Sequence, residues 1–269
     1  MGGYALGESV EEHKRLEQQA EAMGEMTGLV LAKAGIAPGM RVLDIGCGVG
    51  DVSMIAAALV GPGGAVLGVD RDASALERAR GRAASRGIAN VTFLESDLGA
   101  GLPEGPFDAV VGRLVLMYAP DPGALLGRLK GVLAPGGLLA FQEIDISAAK
   151  VVPPVPLASF VMDRLQETFR RAGANPTMGL ALDGAFRSAG LVPQMFGGTA
   201  MDARGDGFGP AWVAQTVRSL LPRMEALGVA TAAEMEVDTL EQRLRHAFRE
   251  AGALNVWPMM VGAWARLPA

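Results

Sequence analysis

The chain has 269 residues, with 24 Lys and Arg against 29 Asp and Glu, a net charge of −5 with both histidines neutral. Half the residues are hydrophobic and a fifth are charged, the balance of a globular protein and not of a disordered one. Mild acidity argues against a nucleic-acid binder, which needs clustered cations to neutralise phosphates, and the lone Cys47 with only His13 and His246 gives no basis for a disulfide or a metal centre.

No run approaches the roughly 18 uninterrupted apolar residues of a membrane span. The opening Met1-Gly2-Gly3-Tyr4, followed by the charged Glu11-Glu12-His13-Lys14-Arg15, lacks the basic-then-apolar order of a secretory signal. A cytoplasmic protein, monomer or homodimer, is expected.

The spacing of His13, Leu16, Gln19, Ala20, Met23 and Thr27 predicts an amphipathic helix over 10–34, ended by Pro38-Gly39. A β-rich run at 41–45 then leads into a glycine cluster and an apolar helical stretch, 52–60. Strands are predicted at 65–69, 91–94, 107–111 and 138–142. Helices are predicted at 73–86 and 122–133, and Pro135-Gly136-Gly137 reads as a turn. Short apolar strands separated by helices predict an α/β fold, with a parallel sheet covered on both faces. After about residue 145 the rhythm changes. Pro153-Pro154-Val155-Pro156 reads as a linker and helices are predicted at 157–172, 183–189, 211–227 and 233–251. Strand-like runs at 192–199 and 259–266 are expected to complete the sheet. The layout is one domain: an N-terminal helical lid over 1–35, a ligand-binding core over 36–150, and a cover with the last two strands over 151–269.

Asp44-Ile45-Gly46-Cys47-Gly48-Val49-Gly50 is the most informative stretch. It lies between a strand and a helix, where open α/β sheets bind ligands, and its glycines let backbone approach a ligand closely. A dinucleotide fingerprint needs glycine or alanine three residues after the second glycine, and Asp51 stands there. A ligand without phosphate is favoured, and a cationic one suits Asp44 and Asp51. Asp70 ends the next strand, 20 residues beyond Gly50, where a carboxylate accepts from both ribose hydroxyls. After the third strand, Asp97 could accept from an adenine amine, with Leu98 flanking the ring.

Residues 41–145 resemble a class I S-adenosylmethionine-dependent methyltransferase, and the N-terminal helix and late cover resemble those of small-molecule methyltransferases. The resemblance rests on the glycine motif, Asp70, Glu95-Ser96-Asp97-Leu98, Phe107-Asp108-Ala109-Val110-Val111 and Leu133-Ala134-Pro135-Gly136-Gly137. It implies a Rossmann-like seven-stranded sheet with one antiparallel strand, and S-adenosyl-L-methionine as cofactor. It places Gly46 and Gly48 near the methionine part, Asp70 on the ribose, Asp97 and Leu98 on adenine, and Arg113 where the sulfonium passes. Cys47 and Arg71 complete the expected cofactor-binding set.

Such a cofactor carries the reactivity, and the protein supplies geometry. A base is needed only where the acceptor must lose a proton. Glu143, just past the fifth strand, and His13, on the N-terminal helix, are the candidate catalytic groups. Tyr4, Tyr118 and Trp212 are candidate contacts to a hydrophobic small-molecule acceptor; His246 falls off its helix's apolar stripe and is expected at the surface. A nicotinamide oxidoreductase, and a protein that binds S-adenosylmethionine without transferring methyl, stand as alternatives.

Overall fold

The computed structural model describes residues 23–268. Helix α1 covers 23–34. Its buried stripe Met23, Thr27, Val30, Leu31 and Ala34 follows helical spacing. The helix is followed by β1 (Arg41–Ile45), α2 (Asp51–Val60), β2 (Ala65–Asp70), α3 (Ala73–Ser85), β3 (Val91–Glu95) and β4 (Phe107–Arg113). A single turn of tight helix at Leu116–Tyr118 precedes α4 (Pro122–Leu129) and β5 (Leu133–Asp145).

These strands belong to one seven-stranded sheet in the order β3-β2-β1-β4-β5-β10-β7. The last two members, β7 (Gln194–Gly198) and β10 (Met259–Arg266), lie where the sequence puts them. Strand β10 runs antiparallel to both β5 and β7, and the other pairs are parallel. This is the expected Rossmann-like sheet with one reversed strand.

Both faces are covered. On one, α1 and α2 pack over Val42, Val111, Ala140 and Trp264. Gly262 of β10 allows this approach, since a Cβ there would lie 2.5 Å from Val30 Cγ1. On the other face, Leu43, Phe107, Leu139 and Phe141 meet the buried residues of α4 and of the C-terminal helices.

Those helices are α5 (Pro156–Arg171), α6 (Met178–Ser188), α7 (Gly209–Ala226), α8 (Ala232–Met235) and α9 (Leu240–Glu250). Helix α6 begins five residues before its predicted start at 183. Gly179 and Gly184 dilute its helical signal, yet Gly179 lets α6 lie against the backbone of Ile144 and Asp145. The single helix predicted over 233–251 is two. A capping box of Thr231 and Glu234 starts α8, and Glu236 in the left-handed region (φ 45°) ends it.

Two further features differ from expectation. The Pro135-Gly136-Gly137 turn is an irregularity inside β5: its pairing with β4 jumps from Phe107–Leu133 to Ala109–Leu138. A small antiparallel sheet of β6 (Lys150–Val152), β9 (Leu254–Val256) and β8 (Met201–Ala203) was not expected, its strands being too short to show a period. Among the described residues no helix is long and apolar enough to cross a membrane.

Candidate active site

The loop from Gly46 to Gly50 turns β1 into α2 through three left-handed glycines, with φ of 62°, 51° and 85°. Two of them show why side chains are excluded. A Cβ on Gly50 would meet Phe93 Cζ at 2.9 Å, so the turn packs directly on β3. Gly48 faces open space, and only its backbone conformation demands glycine.

The loop is tied to the next strand. The amide of Cys47 donates to the Val69 carbonyl at 3.0 Å, and the amide of Gly48 donates to Asp70 Oδ2 at 2.8 Å. Asp70 Oδ1 accepts from the Asp72 amide at 3.0 Å. Asp70 is therefore clamped at the carboxyl end of β2, with lone pairs remaining on both oxygens for further donors. Arg71 beside it is exposed. Asp97 is also exposed, and Leu98 is half-buried against the core. The amide of Ser96 donates to the Asp70 carbonyl at 2.8 Å, which joins the two carboxylate-bearing turns.

Beneath the loop lies a buried polar cluster. Asp44 is 1% exposed; Ser53 Oγ donates to its Oδ2 at 2.6 Å, and its Oδ1 has no partner among the described residues. Burial pushes this carboxyl up to about 7, against the Ser53 hydrogen bond and the charge of Arg113. Burial and the nearby Asp44 and Asp70 also raise the Cys47 thiol, which stays protonated. Arg82 holds Asp51 at 2.6 Å, and Arg113 Nη2 lies 3.8 Å from the other oxygen of Asp51. Arg113 Nη1 donates to Thr27 Oγ1 at 3.1 Å, and the Thr27 hydroxyl lies 2.7 Å from Gln142 Oε1. Arg113 thus binds α1 to the glycine loop. Gln142 Nε2 is buried without a partner among the described residues.

Glu143 lies in the interior. It is 0% exposed. Its Oε1 accepts from the amides of Val115 and Leu116 at 2.9 and 2.7 Å, and its Oε2 from Met117 at 3.3 Å. Burial nevertheless raises it to about 7, the three amides pulling the other way. The carboxylate anchors the turn after β4, with both its oxygens taken up by backbone amides. Leu114 makes this possible: at φ 57° it reverses the chain so that three successive amides converge on Glu143. Asp145 is equally buried and accepts from Ser147 Oγ at 2.5 Å and from the Ala148 amide at 3.1 Å. Tyr118 closes the same turn, half-buried against the core.

A cavity of about 290 Å³ opens at this end of the sheet. Met23 and Met26 of α1, Ile144 of β5, Gly198 of β7, Trp212 of α7 and Trp257 line it. Helix α1 is the shared wall, because Thr27 reaches the cluster beneath the loop while Met23 and Met26 face the cavity. The structure thus brings Trp212 to the cavity and gathers Gly46, Cys47, Gly48, Asp70, Arg71, Asp97 and Leu98 around the ends of β1, β2 and β3. Tyr4 and His13 lie outside the described residues. His246 is exposed on α9, as expected.

The profile described as a methyltransferase domain matches residues 36–179. The chain belongs to this methyltransferase-domain family. An aklanonic acid methyltransferase of Streptomyces sp. (strain C5) is 39% identical over 140 residues, covering 49% of this chain and 63% of that protein. A trans-aconitate 2-methyltransferase of Methylobacterium nodulans is 37% identical over 116 residues, 43% of each chain. The aligned part is thus well short of these relatives' full length. The YcgJ protein of Bacillus subtilis superposes with a TM-score of 0.60 at 17% identity, over 91% of this chain and 99% of its own. That likeness is one of fold. The profile's range contains the glycine loop, Asp70, Asp97 and Arg113, and ends at the start of α6.

Proposed function

We propose that this methyltransferase domain transfers the methyl group of S-adenosylmethionine to a small hydrophobic molecule. The observation that carries the reading is the Asp70 clamp. A carboxylate fixed by the Gly48 amide at 2.8 Å stands at the end of β2, beside a loop whose glycine leaves open space. The fit extends to the other end of the cofactor. Asp44 Oδ1 is a buried carboxylate oxygen without a partner among the described residues, two residues before Gly46. An ammonium group is the donor that would answer it and draw its proton off.

When bound, the cofactor supplies an electrophilic methyl on a sulfonium. That methyl would go to a lone pair of the acceptor, the carbon–sulfur electron pair staying with the sulfur of S-adenosylhomocysteine. The chain's own task is placement. Asp70 takes the ribose hydroxyls. Asp97, Leu98 and Arg71 border the adenine, and the Gly46–Gly48 backbone, with Cys47 packed behind it, borders the methionine part. Arg113 and Thr27 hold α1 over this crevice, and the cavity beside α1 is proposed as the acceptor's place. In-line positioning of this kind is worth up to roughly 7–11 kcal/mol of barrier. With Glu143 turned to the backbone, His13 is the group proposed to take a proton where the acceptor has one to lose; its ordinary pKa near neutrality suits that role. Tyr4 and Tyr118 are proposed to flank the acceptor.

The test is incubation with methyl-labelled cofactor and a panel of hydrophobic phenols, amines and carbon acids. Label in an acceptor, with one S-adenosylhomocysteine formed per label, supports the reading. Tight cofactor binding with no transfer to any acceptor would leave a binding protein, and failure to bind would remove both.

A further inference from the structure

The small sheet of β6, β9 and β8 carries its polarity the wrong way round for a surface layer. Its strands pair in the rows Val152–Leu254–Ala203 and Lys150–Val256–Met201, and alternation sends these side chains to one face. That face is outward: Met201 is 63% exposed, Val152 56% and Leu254 38%. Apart from Lys150 it is wholly apolar. The residues between turn inward, and two of the three are polar. Val151 packs against the core. Asp202 Oδ2 accepts from Trp257 Nε1 at 2.6 Å and from the Gly209 amide at 3.0 Å, and Asn255 Nδ2 lies 3.4 Å from the same oxygen. A sheet with one face in water normally alternates apolar inside and polar outside. Here polar side chains fasten the sheet from within while apolar ones meet solvent, the mark of a face that has a partner.

Charge and size say what the partner is. Lys150 and Arg204, which directly follows β8, are the outward charges of the sheet and of the residues flanking its strands; both are exposed, and neither is paired with an acid among the described residues. A second copy docked face to face would set these cations together in an apolar joint, with no outward acid to receive them. A folded protein partner needs about 800 Å² of contact a side, whereas the backbone of three strands about 4.8 Å apart and three residues long covers only about 10 by 10 Å. A bilayer surface sets no such minimum. It takes the tips of a few apolar side chains at the acyl boundary, and its anionic headgroups attract Lys and Arg. The unpaired edges of β6 and β8 stay at headgroup level, within reach of water. The chain's net charge of −5 opposes the approach, but at physiological ionic strength only charges within about 8 Å of the surface are strongly felt.

We infer that the outer face of this sheet docks the protein on membranes that carry anionic lipid, with Val152, Met201 and Leu254 entering the acyl boundary and Lys150 and Arg204 meeting the headgroups. The contact is peripheral and reversible, since a few side-chain tips give far less adhesion than a spanning helix. None of these residues belongs to the glycine loop or to the ends of β1, β2 and β3, so the docking face stands apart from what the crevice binds.

The test is co-sedimentation of the whole chain with vesicles of phosphatidylcholine and phosphatidylglycerol, about three to one, and with vesicles of phosphatidylcholine alone. The wild type should partition onto the mixed vesicles at about 1 mM lipid, and onto the neutral ones at least about fivefold more weakly, the effect of one basic residue at an anionic surface. This comparison needs no variant. Lys150→Gln should weaken binding to the mixed vesicles about fivefold. Met201→Asp, which removes an apolar tip and adds an anion, should weaken it at least about tenfold. Leu180→Asp is the control: Leu180 is 60% exposed on α6, away from this sheet, and its loss should change binding less than about twofold. No binding to either vesicle, equal binding to both, a Met201→Asp variant that binds as the wild type does, or an equal loss in Leu180→Asp would overturn the assignment. So would sedimentation equilibrium that finds the wild type dimeric and Met201→Asp monomeric, since the face would then belong to a second copy.

Discussion

Asp70→Ala is the sharpest perturbation of the cofactor crevice. The wild-type carboxylate accepts from the Gly48 and Asp72 amides at 2.8 and 3.0 Å, so the substitution acts twice. It removes the charged acceptor for the ribose hydroxyls, a loss of about 1.5–3 kcal/mol for hydrogen bonds to a charged group. It also frees the Gly48 amide that shapes the loop. Both amides can turn to water at this half-buried site, so the cost in stability should be smaller, about 1–2 kcal/mol. Cofactor affinity should therefore fall about ten- to a hundredfold, with a cooperative unfolding transition retained. Calorimetry with S-adenosylmethionine, paired with urea unfolding of the same samples, checks both numbers. Unchanged affinity in a folded variant would refute the ribose assignment, and a collapse in stability with no residual binding would show that the loop tether is the larger role.

Other predictions concern the buried acids. Glu143→Gln should lower stability by about 1–2 kcal/mol, because the amide group can accept from Val115 and Leu116 but not also from Met117; turnover within a few-fold of wild type supports the anchoring role, and a loss of orders of magnitude in a folded variant contradicts it. Burial raises Glu143 from 4.5 and Asp44 from 3.8, each to about 7. The folded chain therefore holds protons that the unfolded chain has released, and stability should fall as pH rises from about 4.5 to about 7, by up to about 3 kcal/mol for Glu143. Urea midpoints that rise across this window would contradict the burial argument, and Glu143→Gln should flatten the slope. Binding of the cationic cofactor next to Asp44 near pH 7 should release up to about half a proton, since a group with a pKa of about 7 is half protonated there, read as a dependence of the calorimetric heat on the buffer's ionisation enthalpy. Asp44→Asn should remove that dependence, and a wild type without it would place the ammonium elsewhere.

The parts of the fold that could be read from the chain are those where one short segment carries its own signal. The β1–loop–α2 unit is marked by an apolar run, three glycines and an apolar helix in immediate succession. Asp70 is marked by strand end and distance. The closing strands β7 and β10 stand out as β-rich runs between helices. Where two distant segments decide the outcome, the chain alone misleads. Alternation along β5 correctly places Glu143 and Asp145 on one face, but which face meets the acceptor depends on α6 and on the turn after β4. That turn depends on a left-handed Leu114, which no residue preference announces. Gln142 and Asp202 carry no signal of their own for the same reason: the one reads as an ordinary strand residue and the other as part of a connection until Thr27 or Trp257 arrives from far along the chain. The break at Glu236 is hidden because Leu240, Leu244 and Phe248 keep the helical phase beyond it.

The central claim is that the crevice between the ends of β1 and β2 holds the adenosyl part of S-adenosylmethionine, with Asp70 on its sugar. A crystal structure of the chain soaked or grown with S-adenosylhomocysteine tests it in one step. The account predicts both ribose hydroxyls within hydrogen-bonding distance of the Asp70 carboxylate, adenine beside Asp97 and Leu98, and the sulfur pointing toward α1 and the Trp212 cavity. A nucleoside bound outside the loop, or with its sugar turned away from Asp70, would contradict it.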